Sequence, residues 1–174
     1  MTKRLWENKI RTIPDFPEPG VLFRDITTLL KDGEAFCLMI DDLSAEAAVH
    51  QPDLIVGPES RGFIMGSAVA YHLRCGFVPV RKPNKLPGEV LCYEYQLEYG
   101  MDTLEIHRDA IQKNQKVVIV DDLLATGGTA AATAKMVEEL GGIVVGFVFL
   151  IELSYLEGRE KLKGYAVHSL LQYK

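Results

Sequence analysis

Val117-Val118-Ile119-Val120-Asp121-Asp122-Leu123-Leu124-Ala125-Thr126-Gly127-Gly128-Thr129 is the stretch that decides the fold. Its unbroken apolar start reads as a strand covered on both faces, the habit of parallel sheets. Thr129 to Leu140 follows with the helix formers Ala131, Ala132, Ala134, Lys135, Met136, Glu138 and Glu139. Gly141-Gly142 stops that helix where a left-handed residue is expected. Ile143 to Leu150 then returns as a second apolar strand. The unit is β-α-β.

The same rhythm stands upstream. Asp53-Leu54-Ile55-Val56-Gly57 reads as a strand, Gly62 to Leu73 as a helix, and Phe77-Val78-Pro79-Val80 as the next strand. Glu34 to Val49 places Phe36, Ile40, Leu43 and Ala47 three and four apart, which predicts an amphipathic helix packed on the sheet. Such alternation gives an α/β fold with a central, mainly parallel β-sheet flanked by helices. Between Val80 and Lys116 runs a long polar segment with Pro83, Pro87, Gly88 and Gly100, expected to be a loop of the lid kind.

The chain has 174 residues, 48% of them apolar, enough for a single domain with its own core. No repeat or low-complexity tract divides it. A net charge of −5 argues against a nucleic-acid surface, which needs clustered Lys and Arg on a basic domain. The N-terminus, Met1 to Asn8, lacks an apolar signal core, and the longest apolar run, Ile143 to Ile151, falls short of a bilayer span. A soluble cytoplasmic protein without membrane partners is the expectation. Cys37, Cys75 and Cys92 are odd in number and widely spaced, so reduced thiols are expected rather than a disulfide framework or a zinc site. His50, His72, His107 and His168 show no metal-ligand spacing and read as surface or packing residues.

The chemistry gathers at strand ends. Open α/β sheets bind ligands beyond the carboxyl ends of their strands, where Asp121 and Asp122 offer paired acceptors suited to vicinal ribose hydroxyls. Backbone N–H groups of Ala125 to Thr129, at the positive end of a helix, suit one phosphate, and Gly127 and Gly128 permit its close approach. The turn lacks the Lys of a nucleoside-triphosphate loop and the spacing of a dinucleotide fingerprint. Arg61 follows the first strand, and Arg81, Lys82 and Lys85 cluster after the second, a basic patch on an acidic chain that suits a polyanion.

The strand, acid pair and Thr-Gly-Gly-Thr turn resemble the ribose-5-phosphate loop of the type I phosphoribosyltransferases. Phe16 to Thr27, Glu59-Ser60-Arg61-Gly62-Phe63 and Arg81 to Gly88, with Tyr95 to His107 and Leu153 to Gln172, resemble the branch of that family whose acceptor is adenine. The resemblance implies the type I phosphoribosyltransferase fold in one domain over residues 1–174, with an N-terminal hood at about residues 1–33 and a flexible lid loop at about residues 83–107. It implies transfer of the 5-phosphoribosyl group of 5-phosphoribosyl-1-diphosphate to N9 of adenine, giving AMP and pyrophosphate.

By the same resemblance Arg61, Asp121, Asp122 and Glu98 carry catalysis. Glu59, Ser60, Arg81, Lys82, Lys85, Tyr99 and Leu124-Ala125-Thr126-Gly127-Gly128-Thr129 bind the donor or close over it. Leu22, Phe23 and Arg24 form the purine hood, and Leu153 meets the base. Mg²⁺ is expected through substrate oxygens, without a dedicated protein ligand set. A homodimer is expected, with the segment near Arg81 close to the partner, and a cis Glu59-Ser60 peptide is worth seeking. A regulatory sensor would need a basic face. An oxopurine enzyme would need a cationic donor after the last central strand, where Glu152-Leu153-Ser154-Tyr155 instead offers apolar and acidic contacts.

Overall fold

The computed structural model describes residues 4–97 and 100–174. In chain order the elements are β1 (Arg11–Pro14), β2 (Leu22–Asp25), α1 (Thr27–Leu30), α2 (Gly33–Ala48), β3 (Leu54–Pro58), α3 (Arg61–Leu73), β4 (Gly76–Val80), β5 (Val90–Leu97), β6 (Gly100–His107), β7 (Lys116–Leu124), α4 (Gly128–Glu139), β8 (Ile143–Leu153) and β9 (Val167–Tyr173). Two compact units divide the chain, one up to Asp42 and one from Leu43 to Lys174.

In the first unit β1 and β2 pair antiparallel, Arg11 opposite Asp25. Their connection reverses through Asp15 at φ 57° and a cis Phe16-Pro17 peptide, and the Gly20 amide donates to Asp15 Oδ1 at 2.7 Å. Trp6 anchors the unit. Its side chain is buried, and its indole N–H donates to Asp42 Oδ2 at 2.8 Å, which satisfies the donor that a buried Trp must otherwise leave unpaired. Asp25, also buried, accepts from the Thr27 amide at 2.9 Å and from the Arg11 guanidinium.

In the second unit five strands form a wholly parallel sheet in the order β4-β3-β7-β8-β9. The apolar runs are its centre: Val117 to Val120 and Phe147 to Leu150 are fully buried, and Ile55 and Val56 with them. That burial is why these strands carry no polar alternation. After α4, Gly141 takes a left-handed conformation, its amide donating to Glu138 O at 2.9 Å, so the chain turns back into β8.

The segment expected as a polar loop is largely a hairpin. β5 and β6 pair antiparallel from Val90 opposite His107 to Leu97 opposite Gly100. Leu91, Tyr95, Leu104 and Ile106 are buried. In β5 the period-two alternation was masked by the polar residues between, the pattern of a strand with one dry face, whereas β6 buries Leu104, Glu105 and Ile106 in a row. Backbone hydrogen bonds in both directions between Arg81 and Glu105, at 2.9 and 2.7 Å, dock the hairpin beside β4.

Candidate active site

The sheet order places the site. From β3 the chain crosses through α3 to β4 on one side, whereas from β7 it crosses through α4 to β8 on the other. The connections leave the carboxyl ends of β3 and β7 in opposite directions, and a crevice opens between them, as doubly wound sheets require. A cavity of about 330 Å³ lies there, walled by Glu59, Ser60 and Arg61 after β3 and by the run from Asp121 to Ala130.

One wall is acidic. Asp122 is buried and its Oδ2 pairs with Arg61 Nε, while its amide donates to Asp121 Oδ1 at 2.8 Å. Burial, and then the charge of Asp122 beside it, pushes the Asp121 carboxyl well above the usual carboxylate range. Arg61, the first residue of α3, thus ties one acid of the pair to the start of that helix.

The other wall is a backbone cradle. Gly127, at φ 77°, caps the N-terminus of α4, whose first amides lack intrahelical acceptors, and the turn and first helical residues line the cavity. Gly158 seats this turn. A Cβ on Gly127 would stand 2.3 Å from Gly158 O, and one on Gly158 would stand 2.2 Å from Ala125 O. Both positions therefore require glycine, and the sequence reading missed Gly158; its sole trace was a glycine beyond the strand that ends in Leu153.

At the other rim Glu59 organises the basic segment. Glu59 Oε2 accepts from Arg81 Nε at 3.1 Å and from the Lys82 amide at 2.9 Å. The Lys82 amide contact, against the cost of burial and aided by Arg81, holds the Glu59 carboxyl below its ordinary value. The Glu59-Ser60 peptide is cis. Lys82 Nζ pairs with Asp102 of β6, and Tyr95 donates its hydroxyl proton to Asp102 Oδ2 at 2.9 Å while lying 3.2 Å from Thr129 Oγ1. Tyr95 and Asp102 escaped the sequence reading: the alternation of β5 marks Tyr95 as buried, but nothing local marks Asp102.

A phosphoribosyl transferase domain family model matches residues 27–170. Over 167 residues the chain is 62% identical to the adenine phosphoribosyltransferase of Alkaliphilus metalliredigens, covering 96% of this chain and 98% of that one. The chain belongs to the adenine phosphoribosyltransferase family. The crystal structure of adenine phosphoribosyltransferase from Thermoanaerobacter pseudethanolicus superposes with a TM-score of 0.93 at 57% identity, over 96% of this chain and 97% of that one. That from Saccharomyces cerevisiae, complexed with a dideoxy-imino-altritol bisphosphate and adenine, superposes with a TM-score of 0.89 at 40% identity, over 95% and 96%.

Within this member of the adenine phosphoribosyltransferase family, the structure brings together Glu59, Ser60, Arg61, Asp121, Asp122 and Leu124 to Thr129 around one cavity. Arg81 and Lys82 join that group through Glu59, and Lys85, exposed, lends its carbonyl to Arg81 at 3.2 Å. In the first unit Leu22, Phe23 and Arg24 lie on β2, with Leu22 exposed and Phe23 edge-on to Phe16 at 5.1 Å between ring centres. Glu98 and Tyr99 lie outside the described residues.

One expectation is corrected. Glu152 was read as an acidic contact for the base, but it is buried and its two carboxylate oxygens accept from Arg159 at 2.8 and 2.7 Å. The bidentate pairing with Arg159 engages both oxygens, and Gln172 of β9 also donates to Oε2 at 3.4 Å. Leu153, at the end of β8, remains partly exposed.

Proposed function

We propose that this chain transfers the 5-phosphoribosyl group of 5-phosphoribosyl-1-diphosphate to N9 of adenine, giving AMP and pyrophosphate. The observation that carries the reading is a cavity with an acid pair on one wall and a glycine-seated amide cradle on the other, at the switch point of the sheet. These walls suit the two ends of a ribose 5-phosphate, hydroxyls on the acids and phosphate on the amides. The bound adenine named for the yeast relative supports adenine as the acceptor.

In this reading the amides of Leu124 to Thr129 hold the 5-phosphate, and Asp121 and Asp122 accept from the ribose hydroxyls. Positive charge grows on the sugar as diphosphate leaves, so the acid pair also stabilises the anomeric centre. Arg61, Arg81, Lys82 and Lys85, with Glu59 and Ser60 shaping the rim, receive the departing diphosphate. Phe23 offers a ring face to the purine, the backbone of Leu22 to Arg24 reads its amine edge, and Leu153 covers it. Glu98 and Tyr99 shield the reacting atoms from water, and Glu98 handles a purine proton.

Magnesium belongs to the same proposal. Among the described residues no three His, Cys, Asp or Glu side chains form a metal cage. The oxygen donors of the acid wall fit an ion that takes few protein ligands, since Asp122 and Glu59 are already engaged by cations. Asp121 would hold Mg²⁺ from the protein side, with diphosphate and ribose oxygens supplying the rest. Bound there, the ion would neutralise diphosphate charge. We further propose a homodimer acting in the cytoplasm; no helix among the described residues is long and apolar enough to cross a membrane.

Formation of AMP from labelled adenine, 5-phosphoribosyl-1-diphosphate and Mg²⁺, run beside hypoxanthine and guanine, tests the reading. Adenine-only turnover is expected. Turnover with an oxopurine, or none with any base, overturns it.

A further inference from the structure

A chain of polar side chains reaches the phosphate cradle from the β5-β6 hairpin. Lys82 Nζ pairs with Asp102 Oδ2. The same oxygen accepts from Tyr95, whose hydroxyl lies 3.2 Å from Thr129 Oγ1, and Thr129 lines the cavity. An ionised carboxylate only accepts, so the Tyr95 proton points at Asp102 and the Tyr95 oxygen is left to accept the proton of Thr129. Two groups that an anionic donor would claim, the Lys82 ammonium and the Thr129 hydroxyl, are both turned toward Asp102, the second through Tyr95.

The hairpin does not need this chain for its own attachment. Leu91, Leu104 and Ile106 are buried, and the backbone bridge between Arg81 and Glu105 docks β6. What the carboxylate adds is a negative charge on the cation assigned to diphosphate. We propose that Asp102 is a positioning residue that occupies Lys82 in place of the donor's diphosphate, and so sets donor affinity by competing for that ammonium. The proposal rests on the reading of Lys82 as a diphosphate ligand. Donor binding exchanges one anionic partner of Lys82 for another, and its affinity is the difference between the two.

Asp102→Asn keeps the size and an oxygen acceptor for Tyr95 but removes the charge. The expected result is a fall in donor KM of about three- to fivefold, the scale of a partly exposed ion pair, with the adenine KM unchanged. In a Lys82→Ala background the same substitution should no longer shift the donor KM. A plain structural role would leave or raise the donor KM, or shift it equally without Lys82, and either result overturns the proposal. Calorimetric titration with pyrophosphate alone reads the same competition independently of turnover. Tighter binding by Asp102→Asn, by the same factor, supports it even if no AMP forms, a result that would sink the functional reading alone; unchanged binding sinks the competition.

Discussion

Arg61 and Asp122, 61 positions apart in sequence, meet as guanidinium and carboxylate at the wall of the cavity. The contact ties the first turn of α3 to the end of β7, and it leaves a cation within the group of residues assigned to the donor.

Removing that cation should act on binding and on folding together. Arg61→Ala is expected to raise the donor KM by about ten- to a hundredfold, the scale of a charge-assisted contact. It should also cost about 1 to 2 kcal/mol of stability, because Asp122 stays buried without its partner while Arg61 itself is partly exposed. Steady-state kinetics and urea unfolding check both. An unchanged donor KM would remove Arg61 from the proposed site.

The acid pair makes a prediction of opposite sign for function and stability. The Asp121 carboxyl is raised by burial and by Asp122, so the fold disfavours its ionised form. A carboxyl raised in the folded state weakens the fold as pH climbs above its unfolded value, near 3.9. Asp121→Asn should therefore raise the melting temperature at pH 7, with the gap closing as pH falls below about 4, while turnover drops. A lower melting temperature at pH 7 would show that Asp121 earns its place by stabilising the fold.

Asp25 behaves conversely. The Thr27 amide, then the Arg11 guanidinium and the Thr27 hydroxyl, bring its pKa down from 3.8 to about 2. A depressed carboxyl stabilises the fold above its unfolded pKa, and that contribution is lost as pH falls from about 4 toward 2. Just under two pK units correspond to about 2 kcal/mol, and the side chain is 8% exposed, so little is lost to solvent screening. Asp25→Asn should cost about that much at pH 7 and nearly nothing at pH 2, measured by denaturant unfolding at both.

How much of this was legible beforehand depended on whether a signal was local. The parallel sheet, α4 and the turn from Leu124 to Thr129 could be read from unbroken apolar runs and a glycine stop, because each is specified by neighbours in sequence. The β5-β6 hairpin was hidden because Leu91 and Tyr95 alternate with charged and polar residues, which lowered the mean apolarity of the segment. The fate of Glu152 was not legible at all: its partner Arg159 reaches it across a strand connection whose geometry no spacing announces. Asp102 was missed for the same reason, its meaning lying in Lys82 and Tyr95.

Gly158 offers the sharpest steric test. Gly158→Ala places a methyl 2.2 Å from Ala125 O, against backbone rather than a movable side chain. The expected outcome is at least about tenfold weaker binding of ribose 5-phosphate, with a stability loss of about 1 to 3 kcal/mol typical of overpacking. Calorimetry and thermal unfolding check it. Full affinity with the methyl in place would mean the turn can shift without loss, and that its seat is not what shapes the cradle.

That seat bears on how the phosphate-binding element can be reused. The strand, turn and helix from Val117 to Glu139 look like a self-contained cassette, yet the underside of the turn is cast against the chain at Gly158, beyond the next strand. Grafted alone onto another sheet, the cassette would carry its glycines but not its mould. Only a transplant extending through β8 to Gly158 would bring the shape with the sequence.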